Sequence, residues 1–219
     1  MHKKCLIYTT VAGVLLAAFL ILTVMLTCVD VRAAGESGAE VGFATLNEAV
    51  FDSFVKSELC LKVSDLCGAL MLAFVGAFGI TGLVQVIRRK GILRADKELY
   101  VMAGGLVLLA AAYVLFEIVV INCRPVLDEG ELAASYPSSH TMLATAVAGM
   151  GAAYLHKLFG WRIPFSAILL GLAVITPLLR LCGGVHWLTD IVGGVLLGLF
   201  ITFAYLAVCA WIAHRKEHA

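Results

Sequence analysis

The amino-acid sequence predicts an all-α membrane protein, a bundle of six transmembrane helices in a single domain spanning residues 1–219. The chain is 62% hydrophobic and only 14% charged, with a mean hydropathy of +0.99, far from the composition of soluble domains. It also contains six apolar segments, each close to the length of about 20 residues that a helix needs to cross a bilayer. These spans lie at about 5–29, 66–87, 99–121, 141–158, 164–181 and 189–213.

The short loops between the spans predict their orientation, because Lys and Arg concentrate on the cytoplasmic side of a membrane. A six-span topology brings the basic clusters at residues 2–4, 88–97, 156–162 and 214–216 to one side. We therefore expect both termini in the cytoplasm. The first span is longer than the apolar core of a secretory signal and is interpreted as a retained anchor. A formal net charge of +1 gives no indication of nucleic-acid binding.

The longest loop, residues 30–65, contains an amphipathic segment at about 41–57. Its apolar residues recur at helical spacing, which is typical of a helix with one apolar face. Two interpretations fit this pattern equally well. The helix lies either on the outer membrane interface or packed against the bundle.

Two arginines are expected to end apolar helices at the outer face, Arg124 after the third span and Arg180 at the end of the fifth. A single arginine in such a place commonly only extends its charge toward lipid headgroups. Two on one face, each near a histidine, favour an anion site, because guanidinium groups bind phosphate bidentately and keep their charge. Cys123 and Cys182 lie beside these arginines, so a disulfide between them is an alternative to free thiols.

His186 and Asp190 have the i, i+4 spacing that puts two side chains on one face of a helix. A carboxylate on one ring nitrogen fixes the tautomer of the imidazole and leaves the other nitrogen free to attack. The alternative is a structural pair that only stabilises the start of the sixth span. Next to them, Gly183 and Gly184 predict a tight turn, and Trp187 an anchor at the membrane interface.

The sequence YPSSH at 136–140 directly precedes the fourth span. Pro137, Ser138 and Ser139 suit the first turn of a helix, whose free N–H groups bind anions, although an ordinary Ser cap explains them when they are taken alone. His140 adds a proton donor. Two arginines, a helix N-terminus and two histidines together predict phosphoryl transfer, with one histidine as nucleophile and the other as acid, and without a metal or other cofactor.

Three motifs of this chain resemble those of the type 2 phosphatidic acid phosphatases, a family related to the vanadium haloperoxidases. The family pattern is K-x-x-x-x-x-x-R-P, then P-S-G-H, then S-R-x-x-x-x-x-H-x-x-x-D. The chain has EIVVINCRP at 117–125, PSSH at 137–140 and LRLCGGVHWLTD at 179–190. The motif order and the spacing within the third motif agree with the family, over roughly residues 99–213.

The resemblance implies a role for each matching residue. His186 would be the nucleophile that forms a phosphohistidine, Asp190 its orienting partner and His140 the acid for the leaving group. The phosphate would be bound by the remaining motif residues, which are Arg124, Arg180, Ser138 and Ser139. Small bacterial members with six spans hydrolyse lipid phosphates or diphosphates without a metal.

Three positions depart from the family pattern. Ser139 replaces a glycine, Leu179 replaces a serine, and Glu117 replaces the lysine of the first motif. Losing a charge-assisted donor costs about 1.5 to 3 kcal/mol of phosphate binding. On a continuous helix Glu117 would lie two turns from Arg124 on the same face, where it would pair with an arginine or bind a polar group of the substrate.

The sequence therefore predicts a lipid phosphatase in the plasma membrane of a bacterium, with its active site facing outward. Its partners would be the bilayer and a lipid phosphate, first of all an isoprenyl carrier such as undecaprenyl diphosphate. Phosphatidate or phosphatidylglycerophosphate is the alternative substrate. Two other functions stay open, a phosphotransferase that uses the same phosphohistidine and a lipid-phosphate binder or transporter without turnover.

Overall fold

The computed structural model describes residues 3–54, 56–128, 130–160 and 164–217. Within these residues, seven α-helices, one two-stranded hairpin and a short 3₁₀ turn follow one another. They are α1 (Lys3–Leu26), β1 (Arg32–Ala34), β2 (Ala39–Val41), α2 (Ala44–Ser53), α3 (Glu58–Arg88), the 3₁₀ turn (Ile92–Arg94), α4 (Lys97–Ile118), α5 (Ser139–Phe159), α6 (Pro164–Cys182) and α7 (Leu188–Glu217). The chain is mostly helical, as predicted, and its short antiparallel hairpin, which pairs Arg32 with Val41, is an addition that the sequence did not indicate.

Helices α1, α3, α4, α6 and α7 are long and apolar enough to cross a membrane, as expected for five of the six predicted spans. Their outer surfaces carry exposed large apolar side chains, for example Leu20, Ile80, Val107 and Val174, which suits contact with lipid. The remaining span, predicted at 141–158, corresponds to α5. Whether α5 crosses the bilayer stays a prediction.

Helix α5 lies in the middle of the bundle, packed against α3, α6 and α7. More than half of its residues are buried, and many of them are small. At Gly149 an added Cβ would lie 2.3 Å from Thr202 Oγ1 of α7, and at Gly198 of α7 it would lie 2.7 Å from Thr145 Cβ. Because glycine permits this close approach, the starts of α5 and α7 are held in a fixed relation.

The basic ends of the helices gather at one end of the bundle. Lys157 at the end of α5 pairs with Glu98 at the start of α4 at 2.7 Å. Arg89, just after α3, pairs with Asp96 at 2.9 Å, and the same carboxylate accepts a hydrogen bond from Tyr154. Arg180, His186 and the start of α5 lie at the opposite end. The cytoplasmic location of the basic end and of both termini remains a prediction.

The amphipathic segment forms α2 and packs on the bundle, the second of its two predicted interpretations. Together with the hairpin it buries a small apolar cluster that consists of Ala34, Val41, Ala44, Phe51 and Trp187. Trp187 is fully buried and its indole N–H donates to the Cys123 carbonyl at 2.8 Å. The prediction of Trp187 as an interfacial anchor is therefore wrong, because α2 covers it.

Two helix bounds differ from the predicted spans in ways that affect the site. Helix α3 begins at Glu58, eight residues before the predicted start at 66, so Asp65 lies on a helix. Helix α4 ends at Ile118, so Arg124 lies in the following loop instead of ending a helix, and Glu117 and Arg124 are not two turns apart on one helix face. All seven cysteines are free thiols, so Cys123 and Cys182 are not bridged in the structure.

Candidate active site

His186 lies in the turn just before α7, Asp190 lies in the first turn of α7, and both are buried. Asp190 Oδ2 accepts a hydrogen bond from the backbone N–H of Trp187 at 2.9 Å, the carboxylate half of a capping box at the helix N-terminus. Its other oxygen, Oδ1, lies 3.3 Å from the amide nitrogen of Asn122. His186 Nδ1 is 3.5 Å from Asp190 Oδ2, close enough for an ion pair but without the geometry of a hydrogen bond. The predicted pair is therefore brought together, and its carboxylate is fixed by two further donors.

Burial lowers the pKa of His186 below its ordinary value of 6.5, and the charges of Arg180 and Arg124 act in the same direction. The Asp190 carboxylate opposes this shift but does not reverse it. At neutral pH the imidazole is therefore uncharged, which is the form that can attack an electrophile.

Arg180 ends α6 with a buried guanidinium that faces the nucleophilic histidine. Its Nη2 lies 3.4 Å from His186 Nε2. Because a guanidinium can only donate, this contact favours the tautomer of His186 that carries its proton on Nδ1, next to Asp190. The Nη1 of Arg180 donates to Asp65 Oδ1 of α3 at 3.2 Å.

Arg124 lies in the loop between α4 and α5 and is held there by local contacts. Its backbone N–H donates to the Ala133 carbonyl at 2.9 Å, and its Nη1 forms an ion pair with Asp128 at 2.8 Å. Arg124, Glu117, Ser139 and His186 line one cleft, with Tyr113, Ser135 and other residues of the loop. Arg124 therefore lies beside the other predicted site residues, although a loop carries it and not the end of a helix.

The PSSH motif forms the start of α5. Ser138 is the N-terminal cap, and its backbone N–H donates to the Asp190 carbonyl at 3.0 Å, which ties the second motif to the third. That N–H is therefore not free for phosphate. Ser139 lines the cleft with Arg124 and His186, while His140 Nε2 lies 3.4 Å from Asp65 Oδ1.

Three polar residues of the site region were missed by the sequence reasoning. Asp65 contacts both Arg180 and His140, Asn122 contacts Asp190, and Asn47 of α2 contacts Thr189 at the start of α7. An acidic residue close to the start of an apolar segment was the available signal for Asp65, since ionisable groups there are costly. The two asparagines carry no such signal.

Several buried donors of the site have no partner among the described residues. These atoms are Arg124 Nε, Arg180 Nε and Ser138 Oγ. Buried polar groups are almost always hydrogen-bonded, so a cluster of unpaired donors around two guanidinium groups is typical of a site for an anionic ligand. Among the described residues, no group of three His, Cys, Asp or Glu side chains has the arrangement of a metal site.

An apolar groove begins at this site and runs between α3, α4 and α5. Its volume is about 630 Å³, and its walls include Leu72, Val75, Leu106 and Leu143. At the polar end the groove is lined by Asp65, Ser139 and His140. Ser139 and Tyr113 line both the groove and the cleft, so the two spaces lie next to each other.

Comparison with known proteins agrees with this arrangement. The structure resembles the crystal structure of a transmembrane PAP2 type phosphatidylglycerolphosphate phosphatase from Bacillus subtilis, with a TM-score of 0.67 and 22% identity over 92% of this chain and 96% of that one. This likeness shows a shared fold, and with the apolar helices it identifies a multi-pass membrane protein. No curated protein sequence matches the chain. The family model of the PAP2 superfamily matches residues 67–213, two thirds of the sequence, and the chain belongs to this superfamily.

Proposed function

We propose that the protein is a lipid phosphatase that works through a phosphohistidine and needs no metal. The observation that carries this proposal is the contact of 3.4 Å between His186 Nε2 and the buried Arg180 guanidinium, beside Asp190 and opposite His140. A neutral imidazole that faces an arginine with unpaired donors is arranged to attack the phosphorus of a bound phosphate. A protein that only bound a lipid phosphate would not require both His140 and His186.

In the first half of the reaction, Arg124 and Arg180 bind the phosphoryl oxygens, and His186 Nε2 attacks phosphorus. A P–N bond forms, the bond from phosphorus to the leaving oxygen breaks, and protonated His140 gives its proton to that oxygen, which is the ester oxygen of a lipid monophosphate or the bridging oxygen of a lipid diphosphate. Asp190 stabilises the positive charge that develops on His186. The fixed position of its carboxylate, held by Trp187 and Asn122, avoids reorganisation during this step.

In the second half, water attacks the phosphorus of the phosphohistidine, and His140, now neutral, takes the proton of that water. The P–N bond breaks, and inorganic phosphate and neutral His186 are formed. Both arginines contact the phosphoryl group throughout. Each supplies a charge-assisted donor worth about 1.5 to 3 kcal/mol.

The groove supports a lipid as the substrate, because an acyl or isoprenyl chain lying in it would place its phosphate at Ser139 and His140. We further propose that the site faces outward in a bacterial plasma membrane, since the basic helix ends lie at the opposite end of the bundle. The substrate inferred from the sequence is an isoprenyl carrier such as undecaprenyl diphosphate. Phosphatidylglycerophosphate is the second candidate, because the similar Bacillus subtilis structure is that of a phosphatidylglycerolphosphate phosphatase.

The test is phosphate release by purified protein in detergent with a metal chelator present. Undecaprenyl diphosphate, phosphatidylglycerophosphate and phosphatidate are compared for the wild type and for His186→Ala. We expect release by the wild type and a loss of at least about a thousandfold in His186→Ala, because a covalent nucleophile is removed. Equal release by both proteins would rule out the mechanism.

The same assay separates the other functions. A phosphotransferase would release little free phosphate until an acceptor lipid is added, and a binder without turnover would release none with any substrate. A wild type that needs an added metal would contradict metal independence alone.

A further inference from the structure

Helix α3 contributes two residues to the surroundings of His140. Asp65 Oδ1 lies 3.4 Å from His140 Nε2 and accepts a hydrogen bond from Arg180 Nη1 at 3.2 Å. One turn later, Gly68 leaves the space for the ring, since an added Cβ would lie 2.9 Å from His140 Cδ2 and 3.1 Å from Nε2. One carboxylate oxygen therefore joins the phosphate-binding arginine to the second histidine, and a glycine lets the ring lie against the helix.

His140 is otherwise surrounded mainly by positive or titratable groups. Asp65 of α3 is the carboxylate that acts on it, and Tyr113 of α4 lines the same groove. The other groups whose charge acts on His140 are Arg180 of α6, Arg124 of the α4–α5 loop and His186 of the α6–α7 turn. A protonated imidazole is unfavourable beside two guanidinium groups unless an anion offsets them. Burial and the nearby guanidinium groups lower the pKa of His140 from 6.5 to about 4, and Asp65 opposes this shift without reversing it, so the ring is neutral before substrate binds. The negative charge of a bound phosphate would add to that of Asp65 and favour the protonated ring.

We propose that Asp65 is the positioning residue of the leaving-group acid, holding protonated His140 through Nε2 while the other ring nitrogen delivers the proton to the lipid oxygen. This inference rests on the proposed phosphatase function. Asp65 and His140 would then form a second carboxylate–histidine pair, which serves the acid as Asp190 serves the nucleophile. Asp65 touches no reacting atom and acts only through His140 and Arg180.

The position of Asp65 at the mouth of the groove couples this pair to the substrate. Its side chain is 63% exposed in the structure, whereas that of Arg180 is 6% exposed. A lipid chain in the groove would cover Asp65 and remove water from its ion pairs, and ion pairs strengthen as water is excluded. The acid would therefore be held most firmly when a lipid is bound.

A proton donor matters only for a leaving group that needs a proton. The alkoxide that leaves phosphatidate is strongly basic and requires protonation, whereas the nitrophenolate that leaves p-nitrophenyl phosphate departs as an anion. Hydrolysis of the phosphohistidine, which also uses His140, follows departure of the leaving group and does not enter kcat/KM. A defect in the acid must therefore lower kcat/KM for phosphatidate and spare kcat/KM for p-nitrophenyl phosphate. A general defect in folding or in phosphate binding slows both.

The experiment compares kcat/KM for dihexanoyl phosphatidate and for p-nitrophenyl phosphate in the wild type, Asp65→Asn, Asp65→Glu and Gly68→Ala. We expect Asp65→Asn to lose about tenfold to a hundredfold on phosphatidate, a part of the usual contribution of acid catalysis, and less than about threefold on p-nitrophenyl phosphate. Gly68→Ala should show the same selectivity because it displaces the ring of His140. Asp65→Glu should recover part of the phosphatidate activity.

Glu58→Gln is the matched control, because Glu58 is an exposed carboxylate on the same helix and pairs only with Lys62 among the described residues. It should leave the ratio of the two kcat/KM values unchanged. An equal loss on both substrates in Asp65→Asn, or no loss on phosphatidate, would overturn the inference. A wild type that releases phosphate from neither substrate, nor from undecaprenyl diphosphate or phosphatidylglycerophosphate, would contradict the proposed function itself. A wild type active on those lipids but not on phosphatidate would overturn the inference, because no proton-requiring leaving group would then be served by the pair.

Discussion

Asp190 shows how much of this site depends on a single buried side chain. Its carboxylate accepts hydrogen bonds from the backbone N–H of Trp187 and from the side-chain amide of Asn122. Its backbone carbonyl accepts a hydrogen bond from the backbone N–H of Ser138. The i, i+4 spacing with His186 was visible in the sequence, since it is a local helical relation. The link to Ser138 was not, because contacts between residues far apart in the chain depend on how the helices pack.

The acid–base state of His186 gives a prediction at the scale of one residue. Burial lowers its pKa, so the ring stays neutral from neutral pH down through its ordinary value of 6.5 and becomes protonated only at lower pH. With histidine labelled at Cε1, we expect its NMR titration midpoint below 6.5. The resonance is assigned by its loss in His186→Ala.

The Asp190→Asn variant provides the matched comparison. The Asp190 carboxylate raises the pKa of His186, so its removal should move the midpoint further down. A midpoint above 6.5 in the wild type, or an upward move in Asp190→Asn, would contradict the assigned electrostatics.

At the scale of elements, α2 and the hairpin hold the start of α7 in place. The Asn47 side chain accepts the N–H of Thr189 at 3.2 Å and donates to the Thr189 hydroxyl at 3.0 Å and to the Gly42 carbonyl at 2.9 Å. An asparagine from another element therefore caps the helix that carries Asp190. The amphipathic pattern predicted the helix but not its partner, because the same apolar face suits a membrane surface and a protein surface.

Replacing Asn47 should weaken both stability and turnover. Asn47→Ala leaves the N–H of Thr189 and the carbonyl of Gly42 without their buried partner, which costs about 1 to 3 kcal/mol. We expect a lower thermal unfolding midpoint in detergent and a reduced kcat, since the first turn of α7 loosens. Glu48→Gln, on the same helix and paired with Arg32 at the surface, should change neither. Full activity in a clearly destabilised Asn47→Ala protein would show that α2 has no part in positioning the site.

For the whole molecule, composition was sufficient to predict a helical membrane protein, and the distribution of charge predicted that the arginine and histidine motifs lie at the less basic end. The arginine and histidine motifs identified residues that lie close together at that end. The sequence could not show that α3 starts early enough to bring Asp65 to the site, nor that α4 stops at Ile118 and leaves Arg124 on a loop. Both facts concern the residue at which a helix begins or ends, and the length of an apolar segment does not determine that residue. The groove likewise arises only from the packing of three helices.

The groove yields the prediction that belongs to the molecule as a whole, because it decides whether the enzyme takes lipids from the bilayer. Ala110 of α4 lines it, so Ala110→Trp should fill part of it, whereas Leu108→Trp on the exposed face of the same helix should not. A lipid chain that must pack against the added ring meets steric overlap worth about 1 to 3 kcal/mol, which lowers kcat/KM by about fivefold to a hundredfold. We therefore expect Ala110→Trp to lose this much on dioleoyl phosphatidate but to hydrolyse p-nitrophenyl phosphate normally, and Leu108→Trp to retain both activities. A parallel loss on both substrates, or no loss on the lipid, would mean that the lipid chain lies outside the space between α3, α4 and α5.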